Sequence, residues 1–92
     1  MTQVHGDPAE MRRFAASLKQ FAADLDASTK RIDHASKAVG SSWNDNEYRK
    51  FMQEWQRTLQ SLRRFISETP KYEKYVIRKA QVLEEYSHRG SL

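Results

Sequence analysis

From Met11 onward, apolar residues recur in steps of three and four. Met11, Phe14, Leu18, Phe21, Leu25, Ser28, Ile32, Ala35 and Val39 form one such series, polar only at Ser28, and that spacing puts them on a single stripe of an α-helix. Asp7-Pro8-Ala9-Glu10 supplies an N-cap acceptor, a proline at the first helical position and a glutamate three residues after the cap, so the helix is expected to open at Pro8. Gly40, free to adopt the left-handed conformation, is expected to close it. A second series runs Tyr48, Met52, Trp55, Leu59, Leu62, Ile66 and, beyond Thr69 and Glu73, Val76, Ala80 and Leu83. It predicts a helix over about 45–86, capped by Asn44 or Asp45 and frayed after Tyr86. The polar turn between them, 40–44, is short enough to force an antiparallel hairpin. Pro70 removes an amide donor inside the second helix, which predicts a kink, or a break with Thr69 capping a third helix, near Phe65 to Lys71. The chain therefore reads as all-α, a single helical-hairpin domain over 1–92 with helix one at about 8–39.

Two features of the pattern predict a partner. At about 1.5 Å per residue the first helix is roughly 48 Å long and the second roughly 64 Å. Counting outward from the turn places Met11 near Glu73 or Lys74, leaving Tyr75, Val76, Ile77, Ala80, Val82, Leu83 and Tyr86 as an apolar overhang that needs cover, unless the chain beyond Pro70 folds back on the hairpin. Beside the second seam lies a column of Phe51, Thr58, Phe65, Tyr72, Lys79 and Tyr86 at intervals of seven, and beside the first lie the small residues Ala15, Ala22, Thr29 and Ser36. One neighbouring helix does not cover so wide a face. The expected assembly is a four-helix bundle of two hairpins, a homodimer or a pairing with a related hairpin. Phe14, Leu18, Phe21, Phe51, Trp55, Leu59, Leu62, Phe65 and Tyr72 are the expected interface, and Trp43 is expected to pack against the hairpin end.

Composition narrows the chemistry. With no cysteine, disulfides and thiolate metal sites are absent. His5, His34 and His88 lie far apart, and there is no glycine-rich phosphate loop, so no catalytic residue, metal site or cofactor is assigned. Asp24, Asp26 and Asp33 read as solubilising charges on an exposed face of helix one. Met1 to Asp7 does not read as an export leader, and no run approaches the ~18 apolar residues of a membrane span. The expected location is the cytoplasm, with export lacking a cleaved signal peptide left open. The net charge is +4, concentrated in a ridge of Lys50, Arg57, Arg64, Lys71 and Arg78 opposite the second seam. That ridge supplies the alternative reading, a basic helical module for nucleic acid or an anionic membrane. A solvated face is the plainer account, and nucleic acid and membrane are not the expected partners, because the aromatics fall on the apolar side rather than between the cations.

Ser41-Ser42-Trp43 between two long helices, followed by Tyr48, Phe51 and Trp55, resembles the WXG family of type VII secretion substrates over most of the chain. The resemblance implies a hairpin that forms homo- or heterodimeric four-helix bundles, a non-enzymatic role as a secretion-linked substrate, partner or adaptor, and contact with a secretion ATPase or effector. The turn motif maps to Trp43, Asn44 and Asp45, with Asp45 standing where the family has glycine. The family's tyrosine-to-acidic export signal is absent, since Tyr72, Tyr75 and Tyr86 are followed four residues later by Val76, Lys79 and Gly90.

Overall fold

A computed structural model describes residues 5–90, at 89 and 90 the backbone alone. The ends of the expected 1–92 domain, including residues 1–4 of the N-terminal stretch, lie outside the described residues. The described chain is two helices, α1 (Pro8–Val39) and α2 (Asn46–Gly90), packed against each other as a hairpin, with no strand among the described residues. The α1 entrance is the expected one: the Asp7 carboxylate accepts from the amides of Ala9 at 2.9 Å and Glu10 at 3.4 Å. Such a cap contributes about 1 kcal/mol. For α2 the cap is Asp45, whose Oδ1 accepts from the Tyr48 amide at 3.0 Å.

The α1 exit differs from expectation. Gly40 does not take a left-handed conformation. Instead the amides of Gly40, Ser41 and Ser42 donate to carbonyls three residues back, and that of Trp43 donates to Val39 at 2.8 Å. The chain thus winds on for another tight turn before it reverses. Nor does Pro70 break α2, which is continuous through it and runs past Tyr86 to Gly90. Pro70 sits on the solvent side, where its ring displaces no packed neighbour.

The hairpin divides into two compact units, one of Ala22–Ser67 around the turn and one of the outer chain segments. In the turn unit the helices meet through Ala22, Thr29, Asp33 and Ser36 of α1 and Leu59 of α2, all buried. The outer unit is closed by Ala15, Thr69, Ala80 and Leu83. On α1 the contact face is therefore the column of small residues, rotated from the expected seam, while Phe14, Phe21, Ile32 and Val39 are left exposed. Small side chains let two backbones approach closely, whereas a ring at each turn would hold them apart.

The apolar overhang is likewise corrected. Ala80 and Leu83 are buried, and Val76 and Ile77 are half-buried; only Tyr75, Val82 and Tyr86 stay exposed. In the outer unit Arg12 grips Glu84 through Nε at 3.1 Å and Nη2 at 2.7 Å, and Arg12, Ala15 and Ala16 line a recess with Glu73 and Ile77, so the start of α1 lies beside the stretch of α2 from Glu73 to Glu84. Gly6, at φ +143°, sits against Met11 and Leu83 where a Cβ would lie 3.0 Å from Leu83 Cδ1. The chain thus covers Leu83 with its own N-terminal approach.

Candidate interaction surfaces

At the turn, Trp43 is half-buried with its ring edge-on to Tyr48, centroids 5.2 Å apart, and 6.1 Å from Phe51. It packs on the hairpin end as expected. The Tyr48 hydroxyl crosses the end of α1 to donate to the Ser36 carbonyl at 2.7 Å. This explains Gly40, because a Cβ there would lie 2.6 Å from the phenol oxygen. Glycine is needed for close approach rather than for backbone freedom. Asp45 is used as a helix cap, and among the described residues no non-glycine has positive φ, so the turn is made without a left-handed residue at Asp45.

Deeper in the turn unit lies a polar contact missed by the sequence reading. Asp33 is buried; its Oδ1 accepts from the Trp55 indole at 3.0 Å and its Oδ2 pairs with Lys37 at 3.2 Å. The donation from Trp55, then that from Lys37, holds the Asp33 carboxyl below the ordinary aspartate range, with a smaller contribution from the charge of Arg63. The available signal was Asp33 lying four residues before Lys37 and beside Ile32, at the edge of the seam. Because the folded value is depressed, the carboxylate stabilises the fold above the unfolded value of about 3.9, and that stability disappears as pH falls through the lower folded value. Unfolding midpoints measured by helicity should drop as pH falls below about 4, and Asp33→Asn should flatten the drop. An equally steep acid limb in Asp33→Asn would exclude this origin.

The expected interface residues divide by burial. Leu59 is 2% exposed and closed within the hairpin; Leu18, Trp55, Leu62 and Phe65 are half-buried. Phe14, Phe21, Phe51 and Tyr72 are 43–56% exposed, and Ile32 and Val39, not among the expected interface residues, join them. Those two belong to the first series, and only the rotation of α1 turned them outward.

The basic ridge is not uniform. In the turn unit Lys50 lies 3.9 Å from Glu47 and Arg57 lies 3.2 Å from Glu54. In the outer unit Lys71 and Arg78 line a shallow recess with Lys74 and Tyr75. Tyr75 therefore stands between cations, contrary to the expectation that the aromatics avoid them. Among the described residues no cluster of histidine and carboxylate side chains is arranged to hold a metal, and no helix is long and apolar enough to cross a membrane. No protein-family model, curated protein or solved structure matches the chain.

Proposed function

We propose that this chain is a non-enzymatic, WXG-like helical hairpin, a secretion-linked substrate, partner or adaptor that works by pairing with a second hairpin in a four-helix bundle. The observation that supports this most is the exposure of large apolar side chains at helical spacing on both helices: Phe14, Phe21, Ile32 and Val39 on α1, Phe51 and Tyr72 on α2. Lone exposed apolar residues are ordinary, but a ring or branched side chain repeated every seven residues beside a packed seam is the pattern of an uncovered interface. In antiparallel helices, columns displaced from their seams in the same rotational sense open on the same side. That holds for Ile32 and Val39 with Phe51 in the turn unit, and for Phe14 and Phe21 with Tyr72 in the outer unit. The turn resemblance at Trp43 supports the family reading, and the partner is a second copy or a related hairpin.

Sedimentation at micromolar concentration tests the pairing. The wild type should run as a dimer, and Phe21→Asp, which alters an exposed position, should run as a folded monomer. Burying such a ring contributes about 2 kcal/mol per copy, so two copies weaken the dimer by several hundredfold or more. A wild-type chain that is fully helical and monomeric under those conditions rejects self-pairing, and a mixture with a related hairpin then tests the heteromeric form.

A further inference from the structure

Tyr75 is 78% exposed, more than any other large hydrophobic side chain among the described residues. It lies on the outer face of α2 with Lys71 one turn before it, Lys74 adjacent and Arg78 one turn after, and these four residues line one recess. No hydrogen bond, ion pair or ring contact among the described residues engages any of them. In this they differ from Lys50 and Arg57 of the same ridge, which are matched by Glu47 and Glu54. Three unmatched cations converge on an unpacked ring. Glu85 follows on the same side of the helix and limits the patch to about two turns.

We infer that this recess binds single-stranded nucleic acid, with phosphates on Lys71, Lys74 and Arg78 and a base stacked on the Tyr75 ring. Charge complementarity calls for an anionic partner. The ring decides which kind: non-specific recognition of a single strand combines cations that follow the backbone with an aromatic platform, and any base will stack on it. A duplex keeps its bases stacked inside and has no use for Tyr75. An anionic membrane fits less well, because an interfacial helix buries a wide apolar face. In the outer unit α2 is occupied at Thr69, Ala80 and Leu83, and its exposed apolar side chains, Tyr72, Tyr75, Val82 and Tyr86, are interrupted by the exposed cations Lys71, Lys74, Arg78 and Lys79. The recess faces away from the packed seam, and the inference does not depend on the pairing proposed above.

The test is fluorescence anisotropy of the full-length chain with a labelled oligothymidine about 12 nucleotides long. Heparin and phosphatidylserine vesicles serve as polyanions without bases. With three phosphate contacts the log–log salt slope should be about −2, a roughly twentyfold loss of affinity between about 50 and 200 mM salt. Tyr75→Ala should weaken oligonucleotide binding about tenfold and Tyr75→Phe should preserve it, while heparin binding is unchanged by either. Lys71→Gln should shallow the slope by about 0.7. Both positions are exposed, and unchanged helicity would verify that the variants fold. No oligonucleotide binding at low salt, equal binding by Tyr75→Ala and wild type, or binding to vesicles but not to the oligonucleotide would each overturn the inference.

Discussion

Leu59→Ala should lower the stability of the chain by about 3 kcal/mol, enough to reduce its melting temperature by roughly 15 °C. Leu59 is a large side chain that is almost wholly buried, 2% exposed, and much of the rest of the described contact face is small: Ala15, Ala22, Thr29, Ser36, Thr69 and Ala80. A hairpin closed largely by alanines, threonines and a serine has little apolar volume in reserve, and such small side chains cannot shift to refill the cavity. Leu62 is the control. It lies on the same seam but is half-buried, so Leu62→Ala should cost about half as much in a single hairpin. The two variants would be compared by urea unfolding at several protein concentrations. If Leu62→Ala proves the more damaging, and its effect depends on concentration, the pairing of hairpins rather than the single hairpin holds most of the stability.

Pro70→Ala should do the reverse, raising stability by about 2 kcal/mol and the melting temperature by roughly 10 °C. In a helix interior proline is about 3 kcal/mol less favourable than alanine, because its missing amide leaves the carbonyl four residues earlier without its usual donor. Some of that is offset by the restriction proline places on the unfolded chain, up to about 1 kcal/mol. Since α2 runs through Pro70 and the ring is exposed, removing it disturbs no packing. The neighbouring Thr69 is fully buried, so the same turn that carries the defect also carries part of the outer contact face. Thermal unfolding of the wild type and Pro70→Ala decides the point. An unchanged or lowered melting temperature would mean that the local geometry imposed by Pro70 is needed to seat Thr69.

The two helices, their start sites and the hairpin were legible in the amino-acid order, since periodicity and capping act over neighbouring residues. Asp7 and Asp45 cap as their side chains allow, and the second seam from Tyr48 to Leu83 is the one that α2 uses. Tertiary structure decided the rotation of α1, because a stripe of rings and an adjacent stripe of small residues are both regular on a helical wheel. Only the closeness of approach to α2 selects Ala15, Ala22, Thr29 and Ser36 for the inside. The register was set in the same way. At the turn, Tyr48 reaches the Ser36 carbonyl across Gly40, a contact between residues brought together by the fold. Within the turn unit Asp33 lies buried under the Trp55 indole, and within the outer unit Arg12 meets Glu84 and Leu83 is covered. Local pattern names the elements, whereas the faces they share follow from packing two particular surfaces together, which no single helix encodes.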